Sequence, residues 1–182
     1  MHRAGGSGRT ETTGGEHVDR QRYIDMLEMV RERPLLYAFV TKGGKVFTYL
    51  SYVVYPVLLI WLFVSRDPDA WKAVAVPAAG FVILSAFRYL KNAPRPYEVF
   101  ETAPLVVKNT KGKSFPSRHV FSAFIIAYTA GVYYLPLGCA LGLCASLLAV
   151  TRVLAGVHFT KDVIAGAASG ILLGLIGFLL LM

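Results

Sequence analysis

Hydrophobic and polar positions fall along this chain in long blocks rather than in short periods. Val46–Ser65 holds 20 residues without a charge. That suffices to cross an apolar core of ~30 Å at ~1.5 Å per residue. Arg66, Asp67, Pro68 and Asp69 follow as a short loop. Ala73–Phe87 is a second uncharged block, of 15 residues, between Lys72 and Arg88. Snorkelling of those flanking side chains extends so short a span. Residues 119–151 run 33 positions without a fixed charge, too many for one crossing, and Leu135-Pro136-Leu137-Gly138 divides them. The division predicts helices over 118–135 and 137–152. Val163–Met182 is a last block of 20. The pattern predicts an all-α fold, a polytopic membrane bundle of about five transmembrane helices. Gly166, Gly170 and Gly174 line one stripe of the last helix and predict a close helix–helix contact.

The first 45 residues differ. Residues 1–17 are polar and rich in Gly and Thr, and no apolar run follows the early arginines. This reads as a disordered tail rather than a signal peptide. In residues 18–40, Tyr23, Met26, Leu27 and Val30 share one helical face, while Asp25, Glu28, Arg31 and Glu32 lie elsewhere. The segment reads as an amphipathic interfacial helix of about three turns, broken near Pro34. It would lie on the membrane surface or on the bundle. The organisation is then a tail at 1–17, an amphipathic helix at 18–40 and a transmembrane domain at 46–182.

Composition supports this class. Of 182 residues, 55% are hydrophobic and only 16% charged, with mean hydropathy +0.52. Disorder, collagen and a disulfide scaffold are excluded for the bulk of the chain. Cys139 and Cys144 lie five apart in an apolar run, face different directions and read as small buried hydrophobes. The net charge of +8 fits anionic headgroups and phosphate-bearing substrates rather than nucleic acid.

Three polar clusters carry the candidate chemistry: Arg88 with Arg95 and Pro96; Pro116-Ser117-Arg118-His119; and Arg152, His158 and Asp162. Five crossings would bring all three to one membrane face. Arginine binds phosphate oxygens bidentately and stays charged. Ser117 stands where an N-cap would, and the following N–H groups would point at an anion. His158 and Asp162 are four apart and share a face if a helix begins there. A carboxylate on one imidazole nitrogen leaves the other nucleophilic. His119 supplies a second imidazole to protonate a leaving alkoxide. Two readings compete: Lys91, Lys108, Lys111 and Lys113 as headgroup anchors, and the two histidines with Asp162 as metal ligands. The surrounding arginines, which would repel a cation, argue against the metal.

These residues resemble the three-part signature of the type 2 phosphatidic acid phosphatases, membrane members of the vanadium-haloperoxidase-like superfamily. The signature K-x6-R-P, P-S-G-H and S-R-x5-H-x3-D reads here R-x6-R-P (Arg88 to Pro96), P-S-R-H (116–119) and T-R-x5-H-x3-D (Thr151 to Asp162). Arg88 stands for Lys, Arg118 for Gly and Thr151 for Ser. Many members have six spans; here the amphipathic helix stands in place of the first. The resemblance implies a lipid phosphate phosphatase without metal or cofactor. His158 would attack phosphorus and form a phosphohistidine. Asp162 would orient it, and His119 would protonate the leaving group. Arg88, Arg95, Arg152, Ser117 and Arg118 would hold the phosphoryl oxygens. Substrates would be phosphatidic acid, phosphatidylglycerol phosphate, diacylglycerol pyrophosphate or undecaprenyl pyrophosphate. A phosphotransferase and a non-catalytic lipid-binding scaffold are the alternatives.

Sidedness draws two expectations. The N-terminus and the three clusters share a face that carries 17 basic residues, against Arg66 and Lys72 on the other. The positive-inside rule places that face in the cytoplasm. The resemblance places it outside a bacterial plasma membrane.

Overall fold

A computed structural model describes residues 10–108 and 110–181. Residues 1–9 of the expected tail lie outside the described residues. Helix α1 spans Thr10–Arg31, so it begins inside the segment read as tail. It stops just before Pro34, whose ring blocks a continuing helix. Pro34 instead opens α2 (Pro34–Ala38), which passes through one π-type turn (Phe39–Gly43) into α3 (Gly44–Val64). Helix α4 (Ala70–Lys91) ends on Asn92 in the left-handed conformation, φ 40°. A short α5 (Pro96–Val99) interrupts the long polar connection to α6 (Arg118–Tyr133). Tyr134 is extended, and Pro136 sits in the first turn of α7 (Leu135–Leu154), where the sequence places the break. Helix α8 (Thr160–Leu180) closes the chain, and the described residues contain no strand.

Four stretches are long and apolar enough to cross a membrane: Pro34–Val64, Ala70–Val99, Leu135–Leu154 and Thr160–Leu180. The fifth expected span, α6, has 16 residues and is shorter. It is the innermost helix. Val120, Phe121 and Ala130 on it are wholly buried, and α3, α4, α7 and α8 all pack around it. It runs antiparallel to α4 along that helix's length. Arg88, near the end of α4, bonds to Pro116 O just before α6. At the other end, Tyr133 Oη donates to Asp69 O, 2.7 Å away. Shielded by its neighbours, α6 needs no full hydrocarbon length of its own. The outer helices carry the lipid-facing side chains, among them Val53, Val57 and Ile60 of α3 and Ile171 and Ile176 of α8. Cys139 lies exposed on α7 rather than in the core, and Cys144 is half-buried; both are free thiols.

The glycine stripe of α8 packs as expected. A Cβ at Gly166 would stand 2.7 Å from Ser117 O, and one at Gly170 would stand 2.8 Å from Phe121 O. On the opposite flank of α6, Gly138 of α7 meets the backbone of Gly131. Helix α6 is thus held at backbone contact between two neighbours. That closeness brings the first turns of α6 and α8 together, where Ser117 N–H donates to Asp162 O at 2.8 Å.

Helix α1 packs on the bundle rather than lying apart on its surface. Its apolar face, Tyr23, Leu27 and Val30, is buried, and Val30 joins a cluster with Val40, Ala155 and Val157.

Candidate active site

The site lies where the α4–α6 connection, the start of α6, and the α7–α8 loop converge. Asp162, fully buried in the first turn of α8, organises it. Its Oδ2 accepts from Phe159 N–H at 3.0 Å, which satisfies an otherwise orphaned helix donor. The same oxygen accepts from Ser114 Oγ at 2.5 Å. His158 Nδ1 stands 3.4 Å from it and 3.3 Å from Ser114 Oγ. The spacing of four thus pairs His158 with Asp162, and a buried serine completes a triangle. With the carboxylate ionised, Nδ1 carries the proton and Nε2 keeps its lone pair. Burial is the main force on His158. It pulls the imidazole down from its ordinary value to about 4; the Asp162 hydrogen bond opposes this, and Arg95 and Arg88 assist it. The ring is therefore neutral at physiological pH.

The expected arginines do different jobs. Arg88 is buried, and its guanidinium donates to the carbonyls of Lys113, Ser114 and Pro116. It holds the loop that carries Ser114 and Ser117. Those partners are neutral, so its positive charge still acts on the pocket. An ammonium in its place would lack the planar fork that reaches several carbonyls at once. Arg95, also buried, donates from Nε to Gly112 O at 3.0 Å and from Nη1 to Val157 O at 3.4 Å. Glu98 fixes the backbone here, accepting from Arg95 N–H at 2.9 Å and from Gly112 N–H. Arg152 donates to Thr48 Oγ1 at 3.3 Å, and its buried Nε has no partner. Arg118 stands apart: it is exposed, with its guanidinium 5.6 Å from the Phe81 ring.

Ser117 occupies the N-cap position of α6, but its hydroxyl makes no cap bond. Its Oγ is buried and unpartnered, which leaves it available to a ligand oxygen at a helix N-terminus. His119, one residue into α6, is half-buried, and the charged groups that act on it are Arg152, Lys108 and Arg118. Lys108 belongs to this cluster too. Burial, then Arg152, Arg95 and Arg118, hold its ammonium below the ordinary value. Lys108, read as a headgroup anchor, thus lies within electrostatic reach of the site arginines. Ser114 and Glu98 escaped the sequence reading. Ser114 lies in an irregular loop and Glu98 in the four-residue α5, too short for periodicity to mark the inward side. Among the described residues, no three His, Cys, Asp or Glu side chains form a group able to hold a metal.

Residues 69–182 match the family model of the PAP2 superfamily. The chain is 31% identical to Aquifex aeolicus LpxE, whose crystal structure superposes with TM-score 0.67 over 85% of this chain and 93% of that one. A PAP2 type phosphatidylglycerolphosphate phosphatase from Bacillus subtilis has the same fold: TM-score 0.68 at 22% identity, over 94% of this chain and 87% of that one. The bacitracin transport permease protein BcrC of Bacillus licheniformis is 27% identical over 168 residues, 89% of this chain and 79% of that protein. The matched region contains all three polar clusters and the helices that bring them together, and so the chain belongs to the PAP2 superfamily.

Proposed function

We propose that this protein is an integral membrane phosphatase that hydrolyses a phosphomonoester or pyrophosphate of a lipid through a phosphohistidine at His158. The observation that carries the reading is the buried, neutral His158, held at Nδ1 by Asp162 and Ser114 beside Arg95 and Arg88. In the first step His158 Nε2 attacks phosphorus. The N–P bond forms as the bond to the lipid oxygen breaks, and His119 gives that oxygen a proton. In the second step a water attacks phosphorus, His119 takes its proton, and the N–P electrons return to His158. Asp162 steadies the positive charge that develops on the imidazole. Ser117 Oγ, the first N–H groups of α6, Arg95 and Arg152 bind the phosphoryl oxygens, with Lys108 as a further cation. These fixed donors stabilise the transition state. Arg88 acts mainly by shaping the loop. Arg118, turned toward Phe81, contributes least.

The test is phosphate release by purified protein in detergent with EDTA, across phosphatidic acid, phosphatidylglycerol phosphate, diacylglycerol pyrophosphate and undecaprenyl pyrophosphate. Release from at least one, inhibited by vanadate and lost in His158→Ala, is expected. Release that survives His158→Ala, or that requires a metal, would overturn the mechanism.

We place the site on the extracytoplasmic face of a bacterial plasma membrane. The charge count still opposes this placement, at 13 against 2 with Lys108, Arg88, Arg95 and Arg152 set aside, and the placement rests on the family resemblance. The chain ends across the membrane from the site, so green fluorescent protein fused to its C-terminus should fluoresce from the cytoplasm. A dark fusion would reverse the assignment.

A further inference from the structure

The family match begins at residue 69, yet α1 reaches the site from outside it. Tyr23 Oη donates to Gly156 O at 3.0 Å. Gly156 is buried and left-handed, φ 72°, and ends α7 two residues before His158. A side chain there is doubly opposed: the backbone conformation disfavours one, and its Cβ would stand 2.5 Å from Tyr23 Oη. The turn satisfies Gly156 N–H through Val153 O, while its carbonyl takes the hydroxyl of α1. The next carbonyl, Val157 O, takes Arg95. Each of the two peptide oxygens preceding His158 is thus held by one side chain.

A second path links α1 to the other side of the histidine. The Tyr23 ring lies 5.0 Å from that of Phe100, and Phe100 lies 6.0 Å from Phe159. Phe159 N–H in turn donates to Asp162. The packing here is incomplete. A cavity of about 290 Å³ lies between α1 and the loop, with Arg22, Tyr23, Phe100 and His158 in its wall. The loop therefore lacks close contacts on this side to replace a lost hydrogen bond.

We propose that Tyr23 is a positioning residue for His158, fixing through Gly156 O the loop that presents the nucleophile to phosphorus. The inference rests on the phosphohistidine reading above. Burial pushes the Tyr23 phenol up to about 12, so it remains a donor across the working pH range. Removing the hydroxyl leaves a buried carbonyl without a partner, and the loop shifts toward water to regain one. Small displacements of a nucleophile cost rate while leaving substrate affinity intact.

Tyr23→Phe keeps the ring and the packing, and it tests this directly. Relative to the full-length wild type on the same lipid phosphate, kcat should fall about tenfold with KM changed less than about twofold. Vanadate, which mimics the transition state, should lose inhibitory strength by a factor similar to that in kcat. Thermal stability in detergent, read in parallel, should change too little to explain the loss. An unchanged kcat and unchanged vanadate inhibition would overturn the proposal, as would a kcat loss that merely follows the unfolded fraction. A wild-type chain that releases no phosphate would instead overturn the phosphatase reading, and this inference with it.

Discussion

At the end of the bundle near Asp69, charges pair with close neighbours along the chain. Lys72 Nζ lies 2.7 Å from Asp69 Oδ1, three residues away, and the Asp69 side chain is half exposed. At the opposite end, Arg88, Arg95, His158 and Asp162 are buried. There Arg88 and Arg95 reach carbonyls between 17 and 62 residues distant. Both ends hold arginine or lysine together with aspartate, so composition does not separate them. What separates them is backbone. The α4–α6 connection folds its carbonyls around the guanidinium groups and replaces the water they lose. Burying charge is costly without such partners, and ionisable groups are retained inside membrane proteins where they serve function. The contrast teaches that the catalytic end is recognised by what surrounds its charges rather than by their number.

The comparison breaks first at Asp162. Its Oδ2 receives three donors, and an uncharged amide in its place accepts them more weakly and no longer fixes the proton on Nδ1 of His158. Asp162→Asn should lower kcat by roughly 10³- to 10⁴-fold, measured as phosphate release from the best lipid substrate. Ser114→Ala removes one donor to Asp162 and one neighbour of His158 Nδ1. A loss of about 10- to 100-fold is expected, with the folded helical signal retained.

The pH profile sharpens the same contrast. His158 must be neutral to attack, and its pKa is lowered to about 4. Activity should therefore hold as pH falls to about 5.5, where an ordinary histidine with a pKa near ~6.5 would be about nine-tenths protonated. The sign carries over to stability. The unfolded chain binds the His158 proton below its ordinary pKa, and the folded chain does so only near 4. Stability from this group is thus complete above about 6.5 and is lost as pH falls toward 4. An acid limb near 6.5 in the rate profile would place the nucleophile in a wetter, looser site. The smallest effect belongs to the far end. Lys72→Met and Asp69→Asn break a local pair far from the site, with Asp69 half exposed, and should change kcat by less than about twofold.

Much of this was legible in the chain, and the reasons are local. Long uncharged blocks mark α3, α4, α7 and α8 because lipid imposes both length and composition on an outer helix. His158 and Asp162 declared themselves by their spacing of four, although α8 begins only at Thr160 and Asp162 reaches back past the N-cap to a histidine in the loop. The glycines of α8 did so because close backbone approach tolerates no side chain. The length of α6 was overstated, since an inner helix escapes the lipid's length requirement. The amphipathic face of α1 was visible through Tyr23, Leu27 and Val30, but its partner, the Ala155–Val157 loop, was not. The role of Arg88 was hidden for the same reason. Its carbonyl partners 25 to 28 residues away come into reach only through tertiary folding. Ser114 and Lys108 sit in a loop without period, where residue type alone does not tell which side chains turn inward.

The most direct test of the central claim is a rapid-quench experiment with radiolabelled phosphatidic acid and purified protein in detergent. The account predicts an acid-labile, alkali-stable label on the wild-type chain during turnover, and none on His158→Ala. Turnover without any label on the wild type, or label persisting in His158→Ala, would contradict it.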